Sequence, residues 1–260
     1  MKKNLFAFVF ALITAALPAV SQSLNLPLPL GLGSLTVNFE GGTGLSLLNL
    51  GASVQLISPL NPGLRARLPE TVTIPAGLPL LVRIEPSANS GLAFTGVAAI
   101  QLNTLPLFAP SSPRMYAASS GENFSDITAS NVRMGSSYRV IGSRGGFSEF
   151  LIVSDWTPAA TVIAGKLDRL EQIFADNEGA IAAGTDADLA AQLATLRDHI
   201  EADQTAAAIQ DLNQLLTTVT QHSGTDIPNV WRATHDVVNV AGQLRAAAET
   251  LRFSLQELDR

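Results

Sequence analysis

The placement of proline and glycine is the strongest constraint on how this chain can fold. Fifteen of its 20 glycines lie in residues 22–157, and beyond residue 157 the only prolines are Pro158 and Pro228. Proline removes an amide donor and clashes within a helix, while glycine raises the entropy lost on ordering one. The first stretch is therefore confined to short extended runs between turns. The second is free to form long helices, so the backbone chemistry changes near Pro158.

In the first stretch, Leu35-Thr36-Val37-Asn38-Phe39 ends before Gly41-Gly42, and Val54-Gln55-Leu56-Ile57 before Asn61-Pro62-Gly63. Val72-Thr73-Ile74 stops at Pro75, and Leu80-Leu81-Val82-Arg83-Ile84 lies between Pro79 and Pro86. Further runs cover residues 94–102, 138–141 and 147–153. Short strands with turn chemistry between them predict an antiparallel, Ig-like β-sandwich over residues 34–157, with a barrel as the alternative. Residues 22–33, rich in Leu, Pro and Gly, read as an extended leading segment or edge strand. Glu149 lies inside the last run, and period two leaves its face open.

The second stretch has a helical period. Ile163, Leu167, Leu170 and Phe174 form one stripe; Leu189, Leu193, Leu196 and Ile200 a second; Ile209, Leu212, Leu216 and Val219 a third. A fourth runs through Val230, Thr234, Val237, Ala241, Leu244, Ala248, Leu251, Leu255 and Leu258. The pattern predicts an all-α, up-down four-helix bundle over residues 158–260. Asp203 is expected to cap the third helix, Asp186 and Asp188 the second, and Gly224-Thr225-Asp226 to end the third before Pro228 opens the last. Extending from Pro228 to Leu258, the fourth helix would span roughly 46 Å against roughly 26–30 Å for the others. Its overhang, residues 242–258, then lies near the strands, with Phe253 gripped opposite the Leu251/Leu255 seam; a lone exposed Phe is the alternative.

Met1-Lys2-Lys3, an apolar run from Leu5 to Val20 and the small residues Ala19 and Ser21 form the three parts of a secretory signal peptide, residues 1–21, cut after Ser21. The apolar core of about 16 residues is shorter than the roughly 20 a spanning helix needs. The expectation is an exported protein, periplasmic, cell-surface or secreted, with no transmembrane segment after cleavage. With no cysteine, disulfide scaffolds, zinc ribbons and thiol enzymes are excluded. A net charge of −6 argues against a general nucleic-acid partner. Residues 22–157 carry seven basic and seven acidic side chains, residues 158–260 seven and 15, so the acidic excess is confined to the helical stretch.

Between Leu170 and Pro228 the order of features is more specific. Gly179-Ala180-Ile181 precedes Leu189-Ala190-Ala191-Gln192-Leu193, followed by Asp203-Gln204-Thr205-Ala206-Ala207-Ala208, Leu212-Asn213-Gln214-Leu215-Leu216-Thr217-Thr218-Val219 and Ser223-Gly224-Thr225-Asp226-Ile227-Pro228. This stretch resembles the FIMAH modules of bacterial extracellular proteins, related in character to the FIVAR modules of cell-wall proteins. The resemblance implies an accessory module with an envelope or surface role, and it transfers no site residues.

Motifs for chemistry are sparse. His199, His222 and His235 lack the spacing of a zinc site, Gly142-Ser143-Arg144-Gly145 lacks the register of a nucleophile elbow, and Gly41-Gly42-Thr43-Gly44 has no following Lys-Ser/Thr. Asp186 and Asp188 lack the rest of a calcium loop. No catalytic, cofactor or metal residue is therefore assigned. A speculative ligand surface comprises Arg114, Tyr116, Arg133, Tyr138, Arg139 and Arg144, residue types suited to carboxylates or sugars, although polar loops of structural origin would have the same composition.

The functional expectation is an exported, non-catalytic protein with a β-sandwich that binds a glycan or an envelope protein and a helical accessory module. One alternative is a surface assembly that oligomerises through residues 242–258. Another is a hydrolase using carboxylates among Glu122, Asp126, Glu149 and Asp155.

Overall fold

The computed structural model describes residues 22–104 and 112–259; the expected signal peptide, residues 1–21, lies outside them. Extended runs assemble into two antiparallel sheets. The first contains β1 (Gln22–Pro27), β2 (Gly33–Thr43), β6 (Ala93–Thr104), β9 (Thr128–Met134), β10 (Ser137–Arg144) and β12 (Val230–Arg232). Its order is β1-β2-β6-β10-β9, with β12 also paired to β6. The second contains β3 (Ala52–Leu56), β4 (Val72–Thr73), β5 (Leu80–Ile84), β7 (Pro113–Ala118), β8 (Ser125–Asp126) and β11 (Glu149–Asp155), ordered β3-β5-β11-β7-β8 with β4 on β11. The leading segment forms β1, an edge strand.

Alternation explains how the sheets meet. Leu35, Val37 and Phe39 of β2 and Ala98, Ile100 and Leu102 of β6 turn to one side, where they pack with Val82 and Ile84 of β5 and Phe150 and Ile152 of β11. The opposite face of the second sheet is also covered: Leu81, Leu151, Val153 and Tyr116 pack under Leu64, Leu68, Ile74 and Phe124. Enclosure on both faces is why β11 carries four consecutive apolar residues, Phe150 to Val153, and is buried along nearly its whole length.

Glu149, at the start of β11, is only 2 % exposed. It is held by Arg67 at 2.6 Å and Arg83 at 2.7 Å. Burial alone would raise its pKa, but the bonds and charges of Arg83 and Arg67 prevail and hold the carboxyl below its ordinary value. A depressed folded-state pKa adds stability that is present above the unfolded value, about 4.3, and disappears as pH falls through the folded one. Glu149→Gln should therefore lower the melting temperature at pH 7, and its deficit relative to wild type should shrink as the pH is taken below about 4. Parallel curves from pH 7 to pH 3 would contradict this.

The helices are α1 (Leu47–Leu50), α2 (Pro62–Arg65), α3 (Ala159–Asn177), α4 (Ala183–Glu201), α5 (Thr205–His222) and α6 (Val240–Gln256). The first two are single turns with Ser46 and Asn61 as N-caps. The stripe on α3 is buried as the periodicity predicts; on α4 Leu189, Leu193 and Leu196 are buried but Ile200 only partly, and on α5 Leu215 is buried while Ile209 and Leu216 are only partly so. Asp203 does not cap α5; it has a left-handed φ of 55°, and Gln204 precedes the helix. Asp186 lies in the first turn of α4 rather than at its cap, where a negative charge still favours the helix dipole.

The expected division into an all-β sandwich followed by an all-α four-helix bundle is overturned. The chain is a mixed α/β fold, two six-stranded antiparallel sheets with six helices among the described residues. Two findings decide it. Strand β12 comes from the helical stretch yet pairs Val230, Trp231 and Arg232 with Thr95, Phe94 and Ala93 of β6. Helix α6 packs on β6, β9 and β10 as well as on α3 and α5.

The long fourth helix is likewise corrected: residues 228–239 are not helical, and α6 starts only at Val240. Trp231 enters an aromatic cluster, its ring 5.2 Å from Phe94 and 5.1 Å from Phe147. Asn239 caps α6 by accepting from the Gly242 amide, and its side-chain amide donates to the carbonyls of Gly96 and Gly145. These bonds bring helix and sheet so close that a Cβ on Gly242 would lie 2.2 Å from the Gly96 carbonyl oxygen. Phe253 is buried, with the Arg114 guanidinium 4.9 Å from its ring centre. The Leu244, Ala248, Leu251 and Leu255 seam is buried within the chain.

Candidate functional site

Where the strands meet α3 and α6, the surface opens into a cleft of about 620 Å³, within the usual range for small-molecule sites. On α3, Thr161, Gly165 and Arg169 line it at intervals of four, with Val162 and Lys166 beside them, so that one helical face forms a wall. Gln243, Ala246, Ala247 and Thr250 do the same on α6. The end of β10 contributes Arg144, the turn to β11 contributes Gly145, Gly146 and Phe147, and β12 contributes Trp231. Glycine is required in that turn, because a Cβ on Gly145 would meet the Gln243 backbone nitrogen at 2.5 Å.

At the base of the cleft, Lys166 is only 7 % exposed. Its Nζ lies 2.8 Å from Asp126, 2.9 Å from Ser254 Oγ and 3.1 Å from the Thr250 carbonyl. The ammonium donates to Ser254 and the Thr250 carbonyl and has its charge met by Asp126. Burial pushes its pKa down, with Asp126 opposing. Lys166 is thus a clamp joining β8, α3 and α6, not a free base. Tyr116 donates to Asp155 at 2.8 Å, and burial together with Asp126 and Asp155 raises its pKa well above the ordinary range, so the phenol keeps its proton. Ser143 donates to Glu249 at 2.7 Å.

Two arginines differ from these committed groups. Arg144 and Arg169 both face the cleft. Burial, and secondly the charge of Arg169, push the Arg144 pKa down to about 10, against a pull upward from Glu122.

Of the expected ligand surface, the structure brings only Tyr116 and Arg144 to this cleft. Arg114 lies behind it, 3.5 Å from Glu257. Arg133, Tyr138 and Arg139 belong to the β9–β10 hairpin, where Arg133 donates to the Gly135 carbonyl and Arg139 to Asn103. Among the carboxylates considered for hydrolysis, Asp126 and Asp155 come together around Tyr116, whereas Glu149 is held by its arginines. Lys166, Arg169 and Trp231 were missed. A lysine beside Leu167 on an apolar helix stripe was the available signal for the first; nothing local marked the other two. His199 pairs with Asp211 and His222 with Asp226, both at 2.5 Å, while His235 lines the cleft. No group of three or more His, Asp or Glu side chains suited to a metal occurs among the described residues.

The family model described as Family of unknown function (DUF6689) matches residues 29–259. The chain belongs to that family. The DUF6689 match spans strands and helices alike, including every segment that lines the cleft. No curated protein matches the chain. No helix among the described residues is long and apolar enough to cross a membrane.

Proposed function

We propose that this is an exported, non-catalytic protein that holds a small ligand in the cleft between the strands and α3 and α6. The observation that carries the reading is the cleft itself, with Phe147, Trp231, Ala246 and Ala247 as its apolar wall and a few polar side chains opposite. Lys166 is paired with Asp126, and Tyr116 with Asp155, which supports binding over chemistry at these groups. The leader at residues 1–21 supports export. The FIMAH-like stretch supplies α4 and α5, in keeping with an accessory scaffold behind the binding wall.

Gly165 offers a direct test, since a Cβ there meets nothing within 4 Å and a larger side chain would project into the cleft. The uncharged fluorescent probe N-phenyl-1-naphthylamine should bind the wild-type protein saturably at one site. Gly165→Phe should abolish that binding with little change in melting temperature. Equal binding by wild type and a folded variant would remove the cleft as the ligand site.

A further inference from the structure

Every other arginine among the described residues hydrogen-bonds to a carbonyl, amide or carboxylate of the chain or, for Arg114, ion-pairs with Glu257 at 3.5 Å. Among these arginines only the side chains of Arg144 and Arg169 make no hydrogen bond or ion pair with the described residues, and both line the same cleft. Exposed arginines are often loosely held, so Arg169 by itself would mean little. Arg144 is half-buried, however, and the two charges are close enough to repel. Folding has brought two cations together without giving either an acceptor.

The neighbouring acids do not meet this need. Asp126 is taken by Lys166 and accepts from Thr128. Asp155 accepts from Tyr116, and Glu249 from Ser143. Glu122 is exposed and forms no ion pair with either arginine. A guanidinium presents a planar fork of donors that fits two oxygens of a carboxylate, phosphate or sulfonate, and it is strongest where water is partly excluded. Phe147 follows Arg144 by three residues and lies 5.1 Å, ring to ring, from Trp231. The same cleft thus offers an apolar surface beside the unmet positive charge.

We infer that the cleft takes an amphipathic organic anion, its acidic group bound by Arg144 and Arg169 and its apolar body laid against Phe147 and Trp231. This rests on the reading of the cleft as a ligand site and adds the chemical class of the ligand. The arginines are positioned from two separate elements, the end of β10 and α3, so the anion also bridges strands to helices. Because the unoccupied pair is repulsive, neutralising it should not harm the fold.

The test compares two probes of similar aromatic body, 8-anilinonaphthalene-1-sulfonate, which is anionic, and uncharged N-phenyl-1-naphthylamine. Arg144→Gln/Arg169→Gln should weaken sulfonate binding by about tenfold or more. It should leave binding of the neutral probe unchanged and the melting temperature equal or higher. Gly165→Phe should abolish binding of both probes. If the double variant binds the sulfonate as tightly as wild type, or if Gly165→Phe leaves sulfonate binding intact, the anion assignment is overturned while the neutral-probe result still supports the cleft. If wild type binds neither probe, the cleft reading fails and the anion assignment with it.

Discussion

Replacing Lys166 with methionine is expected to destabilise the protein by about 3–5 kcal/mol, the range for breaking a buried ion pair from one side. Methionine fills much the same volume, so the effect comes from charge more than from packing. The variant leaves the Asp126 carboxylate, whose side chain is 6 % exposed, with Thr128 as a remaining donor but without its counter-ion. It also strips the Thr250 carbonyl and Ser254 of a donor. For a chain of this size each kcal/mol shifts the melting temperature by roughly 2–4 °C, so a fall of about 10 °C is the expected size.

Asp126→Asn alone should also destabilise, by leaving the ammonium buried against a neutral amide. Combining the two substitutions should cost less than their sum, because the double variant buries no unpaired charge. A strictly additive double-mutant cycle, measured by denaturant unfolding, would mean that the 2.8 Å contact contributes no coupling.

Trp231→Ala is the second large expected effect, at about 3–5 kcal/mol. The indole is 7 % exposed and lies among Phe94, Phe147 and the ring of His235, with Phe39 further in against Phe94 and Phe147. Its loss opens a cavity and removes the side chain that anchors β12 to β6. Since β12 and α6 tie the strands to the helices, unfolding should remain a single transition at a lower temperature, followed equally by far-ultraviolet dichroism at helix and strand wavelengths. Two separated transitions, with strands melting while α3, α4 and α5 persist, would show that the tie is weaker than the geometry indicates.

Much of the local structure was legible because it depends on near neighbours. The 4, 3, 4 spacing of Ile163, Leu167, Leu170 and Phe174 places those residues on one face of α3, whatever covers that face. Leu35, Val37 and Phe39 alternate in the same self-contained way. Residues 113–118 and 128–134 were harder to read, since Arg114, Tyr116, Asn131 and Arg133 interrupt the apolar pattern; β7 pairs with β11, distant in sequence, and β9 with the neighbouring β10.

The stretch 228–239 shows where period is insufficient. Val230, Thr234 and Val237 fit a helical stripe, but β-branched residues are stiff in helices and fit pleated surfaces well. Asn239 was a readable N-cap signal against a continuous helix. Local preference was nearly balanced there, and the aromatic cluster around Trp231 together with the Asn239 bonds to Gly96 and Gly145 settled it.

The cleft was the least legible part. Arg144 stood out in sequence for its residue type, but its lack of an acceptor depends on where every nearby carboxylate ends up. Asp126 is paired with Lys166, and Tyr116 with Asp155. None of these pairings follows from spacing.

By itself the sequence determined where the apolar stripe of α3 lies and which short runs between turns are extended, that no cysteine supports the fold, and that the acidic excess belongs to residues 158–260. Those properties reside in single residues or in a few turns of chain. Only the tertiary structure decided that strands and helices share one fold, that Lys166 is a clamp, and that Arg144 and Arg169 meet unpaired across a cleft. The reason is physical: burial, cavity shape and ion pairing depend on distances between residues far apart in the chain, and those distances exist only after packing has chosen among locally balanced alternatives.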